Sequence, residues 1–101
     1  MALKFTHDTE KKIVDITVNG YFDFSLNTEF KKIYDLDRSQ IKQIQVNLQH
    51  VEYLDSSALG MLLLLRDMVG GAKDKISLVG ARIEVKRVLN IANFNHLFII
   101  L

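Results

Sequence analysis

The chain has 101 residues, enough for one domain, and its 49% hydrophobic and 25% charged residues are globular composition that excludes a disordered chain. Its 13 basic and 12 acidic residues leave a formal charge of +1, which gives no electrostatic case for nucleic acid or an anionic membrane as partner. The absence of cysteine removes disulfides, thiolate chemistry and cysteine-ligated zinc.

Lys4, His7 and Asp8 interrupt any leader-like apolar run, and the longest such run, Met61 to Leu65, is far too short to span a bilayer. The expectation is a cytoplasmic protein. There is no proline, and Gly20, Gly60, Gly70, Gly71 and Gly80 fall mostly at breaks between patterned segments. With no linker, repeat or low-complexity tract, residues 1–101 read as one domain.

In chain order, Leu3 to Thr6 is a short strand, joined through Asp8 to Lys12 to a β-branched, alternating strand from Ile13 to Val18. Tyr21 to Phe24 is apolar but irregular. A helix is expected to begin near Ser25 or Asn27, both good N-caps, with Leu26, Phe30, Ile33 and Tyr34 at helical spacing. Gln43 to Leu48 alternates as a strand. Asp55-Ser56-Ser57 is a strong helix start, and that helix runs to about Val69 before Gly70-Gly71 stops it. Ile76 to Val79 is a strand, Ile83 to Ala92 a helix, and Phe98 to Leu101 a last strand. Alternating strands and helices predict an α/β fold with a mixed, mostly parallel sheet of about five strands. About three helices are too few to cover both faces, so they are expected mainly on one.

The informative segment is Asp55-Ser56-Ser57-Ala58-Leu59-Gly60. An acid and a serine here can simply cap the helix. A serine at a helix N-terminus can also carry phosphate, because free N–H groups and the helix dipole favour an anion. At about 100° per residue, Ala58, Met61, Leu62, Leu65, Met68 and Val69 share a core face. Ser56, Leu59, Gly60, Leu63, Arg66 and Asp67 lie broadly opposite, and Ser57 falls at the boundary. Leu59 and Leu63 are awkward on a solvent face. Either neighbouring segments cover them, or they form a small apolar docking patch beside a modifiable serine.

The stretch Val46 to Gly60 resembles the central signature of STAS domains of the bacterial anti-sigma factor antagonist family, in which a strand leads into an Asp-Ser-Ser-Gly-Leu-Gly turn that opens a helix. Gly20 and Asp23 match a Gly-x-x-Asp near the end of the second strand, and Leu78 to Gly80, Val85 to Leu89 and Phe94 to Ile99 match the later elements. The resemblance implies the STAS fold and a partner switch. In it the unphosphorylated protein binds a partner, often a serine-kinase anti-sigma factor of the GHKL type. The kinase phosphorylates the first serine of the motif, Ser56 here, and a metal-dependent serine phosphatase reverses the modification. Asp23, Asp55, Ser57, Leu59 and Leu63 are the expected partner-binding residues around Ser56, with Asp23 equally suited to capping or closing the turn after Gly20. Small members of the family also serve biofilm and surface-colonisation switches. Ala58 stands where the family has glycine, a mild change in a helical first turn. Many relatives carry a further C-terminal helix that has no counterpart in this sequence.

No other constellation competes. His7, His50 and His96 lack metal-ligand spacing. Ser56 lies in no nucleophile elbow and has no assigned base. Arg82, Lys86 and Arg87 read as a solvated basic face interrupted by Glu84. The sequence therefore predicts a binding adaptor that is not an enzyme and needs no metal or cofactor. A nucleotide-binding regulatory module and a structural piece of a larger signalling assembly are the alternatives.

Overall fold

A computed structural model describes residues 2–101. It opens with an antiparallel pair, β1 (Leu3–Asp8) and β2 (Ile13–Phe22). The Asp8 carboxylate shapes their turn by accepting the backbone N–H groups of Glu10 and Lys11, each at 3.0 Å. There follow α1 (Asn27–Tyr34), β3 (Gln43–Leu54), α2 (Ser56–Met68), β4 (Ile76–Val79), α3 (Ile83–Ile91) and β5 (Ile99–Ile100). The spatial order of the strands is the chain order, β1-β2-β3-β4-β5, and every pair after the first is parallel. This is the expected mixed sheet with three helices.

That order decides where the helices go. Right-handed crossovers that all step the same way across a sheet place their helices on the same face. The burial pattern agrees: Val14, Ile16, Val18, Ile44, Val46, Leu48, Ile76 and Leu78 are all buried. Their neighbours Asp15, Thr17, Gln43, Gln45 and Ser77 face the other way and are exposed or half-buried. The core is a single apolar layer between sheet and helices, with Phe22, Phe30 and Phe98 among its largest fully buried side chains.

Two strands run further than their patterns suggest. β2 includes Tyr21 and Phe22, and β3 continues from Leu48 to Leu54. The β2–β3 register shifts between Thr17 and Asn19 and again between Gly20 and Tyr21. Each shift inserts an extra β3 residue, so the buried positions of β3 step from Leu48 to Val51 to Leu54 and strict alternation is lost. Gly20, at φ +77°, adopts the backbone conformation that this irregular pairing requires. At the other end, β1 reaches Asp8, and β5 is confined to Ile99–Ile100.

The middle helix is tied down along its length. The Tyr34 hydroxyl of α1 donates to the Met61 carbonyl at 3.0 Å, and burial pushes its pKa up to about 12. Arg66 Nε donates to the Leu97 carbonyl at 2.9 Å, linking the last turns of α2 to the segment before β5. An exposed Arg38–Asp67 pair at 3.4 Å adds little.

Two glycines separate backbone need from helix propensity. Gly80 has φ +75°, and a Cβ there would lie 3.2 Å from the Gln49 Cβ and 3.4 Å from the Asn47 Oδ1. Gly60 is helical, and a Cβ there would meet nothing within 4 Å. Chemical denaturation should show Gly80→Ala losing more than about 1 kcal/mol and Gly60→Ala gaining roughly 0.5–1 kcal/mol.

Candidate functional site

The site forms where β2 and β3 end and α2 begins. Phe22 pairs with Leu54, and the backbone N–H of the next residue, Asp55, donates to the Phe22 carbonyl at 3.3 Å. Asp55 has extended backbone angles, and its carboxylate accepts the N–H of Ala58 at 3.1 Å. Its carbonyl accepts from Leu59 at 3.3 Å. Asp55 is thus the N-cap of α2 and fixes the helix start to the end of the neighbouring strand.

Ser56 is therefore the first residue of the helix. It is exposed, Ser57 is half-buried, and neither hydroxyl has a hydrogen-bond partner among the described residues. The backbone N–H groups of Ser56 and Ser57 are likewise unpaired there, since the Asp55 carboxylate takes the one from Ala58. Ser56 thus stands at the end of the helix that carries unpaired amides and the positive end of the dipole.

Asp23 follows Phe22 as Asp55 follows Leu54, so the two acids continue directly from a paired position in adjacent strands. Asp23 does not reach into the α2 terminus. Its carboxylate caps the short turn Phe24–Leu26, accepting the Ser25 hydroxyl at 2.5 Å and the Ser25 N–H at 2.9 Å. The Ser25 hydroxyl, followed by its backbone N–H, holds the Asp23 carboxyl below its ordinary pKa. Ser25 itself does not cap α1, whose N-cap position is Leu26.

Along α2 the expected core face, Ala58, Met61, Leu62, Leu65, Met68 and Val69, is buried. The opposite stripe divides. Ser56, Gly60, Leu63 and Asp67 are exposed, with Leu63 at 41%, while Leu59 is half-buried and packs against the core. Leu64, which helix phase alone assigned to neither side, is the more exposed leucine at 53%.

Sequence reasoning missed an aromatic pair. Tyr21 and Tyr53 are register partners at the ends of β2 and β3, exposed at 64% and 56%, and their rings meet edge to face with centroids 6.1 Å apart. Each precedes a buried core residue, Phe22 or Leu54, which is the parity signal that identifies an outward side chain. Phe24 is a third exposed aromatic in the same segments. Residues 19–25 and 50–57 contain Asp23, Glu52 and Asp55 and no lysine or arginine, so the site is acidic and aromatic. Among the described residues no group of histidines and acids is arranged to hold a metal, and no helix is long and apolar enough to cross a membrane.

The STAS domain family model matches residues 4–101, nearly the whole chain. The chain belongs to the STAS domain family. This STAS domain is 40% identical over 98 residues to a STAS-domain containing protein of Pseudomonas aeruginosa strain UCBPP-PA14, covering 97% of each chain. Its fold is similar to that of the anti-sigma factor antagonist SpoIIAA in its unphosphorylated form, with TM-score 0.76, 16% identity, and coverage of 99% of this chain and 87% of that one. The phosphorylated form of SpoIIAA, described as a Bacillus cell fate determinant, matches with TM-score 0.69 and 14% identity over 99% of this chain and 91% of that one. At such identities the solved structures establish the shared fold, while the family match rests on the sequence.

The capping geometry sets the expected response to substitution. Asp55→Ala should destabilise the STAS domain by about 1 kcal/mol, the usual cost of losing an N-cap. Ser56→Ala, which removes an exposed hydroxyl without a partner, should stay within about 0.5 kcal/mol of wild type. Urea unfolding of the two variants beside wild type measures both.

Proposed function

We propose that this STAS domain is a phosphorylation-controlled partner-switch adaptor acting in the cytoplasm. The unphosphorylated form binds a protein partner, an anti-sigma factor that is also a serine kinase or a related regulator. Phosphorylation of Ser56 weakens that complex, and a metal-dependent serine phosphatase restores it. The observation that carries the reading is Ser56 itself, an exposed hydroxyl with no partner of its own, on the first turn of a helix whose cap is supplied by another residue. The output is control of transcription or of a biofilm-type behaviour. The domain acts by binding and performs no catalysis of its own.

The physical switch is an interfacial one. Phosphate adds about −1.5 to −2 charge near neutral pH. At Ser56 the helix terminus favours it by roughly 0.3–1 kcal/mol, while Asp55 opposes it. Within the free domain these effects partly cancel. A partner that packs over Ser56, Leu63 and Leu64 must strip water from the phosphate, and residues 19–25 and 50–57 hold no lysine or arginine to replace it. An uncompensated buried charge costs several kcal/mol, and each 1.4 kcal/mol is about tenfold in affinity. Asp23, Asp55, Ser57 and Leu59 then shape the surface around the switch, Leu59 with a side chain partly packed against the core.

Intact-mass and phosphosite analysis of the chain recovered from its native cells should find one phosphate, on Ser56 and not on Ser57, and none in Ser56→Ala. A phosphate at undiminished level in Ser56→Ala would contradict the assignment. Against the purified partner, Ser56→Ala should bind like wild type, the phosphorylated chain about a hundredfold more weakly or worse, and Ser56→Asp more weakly than wild type but less so than the phosphorylated chain. Leu63→Ala should impair binding while costing less than about 1 kcal/mol of stability, well below the 2–5 kcal/mol of a core truncation.

A further inference from the structure

β1 is an edge strand, and its hydrogen-bond parity is fixed by a single contact. The Asn19 N–H donates to the Ala2 carbonyl at 2.7 Å. With the Leu3–Val18 register, the pairs that exchange hydrogen bonds with β2 are therefore those of Lys4, Thr6 and Asp8. The backbone N–H and C=O groups of Leu3, Phe5 and His7 point away from the sheet and have no partner among the described residues. Three consecutive outward sites on a six-residue strand with no proline form a template for another strand.

The flank of α1 adds a second observation. Leu3, Lys4 and Phe5 share a hollow of about 220 Å³ with Glu29 and Lys32. Glu29 and Lys32 are one helical turn apart, of opposite sign, and neither forms an ion pair among the described residues. A two-fold axis through Phe5 would bring β1 against an antiparallel copy of itself. Leu3 would then exchange hydrogen bonds with His7 of the second copy, Phe5 with its own counterpart, and His7 with Leu3. The same axis runs α1 antiparallel to its copy, so the Glu29–Lys32 pair of one copy runs opposite in order to that of the other, the arrangement that lets each glutamate approach a lysine. Self-complementarity of this kind is what an isologous interface requires.

We infer that the β1 edge, with Glu29 and Lys32 flanking it, is a self-association surface that joins two copies of this chain into one continuous sheet. It lies away from the α2 N-terminus and does not depend on the role of Ser56. Sedimentation of the full chain over a wide concentration range should show a reversible monomer–dimer equilibrium. Glu29→Lys and Lys32→Glu should each weaken the dimer about tenfold or more, and the double variant should restore it, since the reversed pair is again complementary. In concentrated wild type the Leu3, Phe5 and His7 amides should exchange about tenfold or more slowly than in dilute protein, with Lys4 and Thr6 protected at both concentrations. A chain that stays monomeric throughout overturns the inference. So does a dimer that is indifferent to both charge reversals, or one whose odd-numbered β1 amides exchange at the same rate at all concentrations. Protection of those amides only when a different protein is added would assign the edge to another occupant and equally overturn it.

Discussion

Asp55 is held through its own N–H and carbonyl and through its side chain. Its N–H binds the end of β2 at Phe22, its carboxylate caps the Ala58 amide, and its carbonyl starts the hydrogen-bond ladder of α2 at Leu59. The site depends on this because the residue that caps the helix is not the residue with the exposed, unpartnered hydroxyl. Had Ser56 been the cap, its hydroxyl would be occupied by a backbone amide, and phosphate there would compete with the start of the helix. Instead Ser56 is left with a free oxygen beside free amides, on a helix that Tyr34 and Arg66 hold further along.

The topology supplies the rest of the arrangement. Because the strands follow one another across the sheet and the helices share one face, α2 has a continuous apolar bed beneath it, and Ser56, Gly60, Leu63 and Asp67 of its outer stripe are exposed. The two register shifts in β2–β3 act locally. They leave Tyr21 and Tyr53 paired and facing outward, one residue before Phe22 and Leu54 turn into the core. The acidic-aromatic rim beside Ser56 is thus a product of irregular strand pairing and not of the helix.

Much of this was legible in the sequence. The β-branched alternation of Ile13 to Val18, the helical spacing of Met61, Leu62, Leu65 and Met68, and the Asp-Ser-Ser start of α2 each have a local physical cause that survives folding. The extensions of β2 and β3 were not legible, because an extra residue in one strand breaks the two-residue period and a glycine inside a strand looks like its end. Leu59 and Leu64 show the limit of helix phase. Phase sets Leu59 broadly opposite the core face and Leu64 on neither side, yet the depth of the neighbouring elements decides exposure, and that depth is a tertiary property. The aromatic pair was hidden with the strand extensions, since Tyr21 lies beyond the point where the strand pattern fades.

In the proposed switch, phosphate at Ser56 acts on a surface and leaves the fold alone. The most direct measurement compares the unmodified chain with one carrying phosphoserine at position 56, by thermal unfolding and backbone amide spectra. The predicted result is a melting temperature changed by no more than about 4–8 °C, the equivalent of 1 kcal/mol for a domain of this size. Spectral changes should be confined to the first turn of α2 and the adjoining ends of β2 and β3. Loss of the cooperative transition, or shifts spread through β4 and α3, would contradict it.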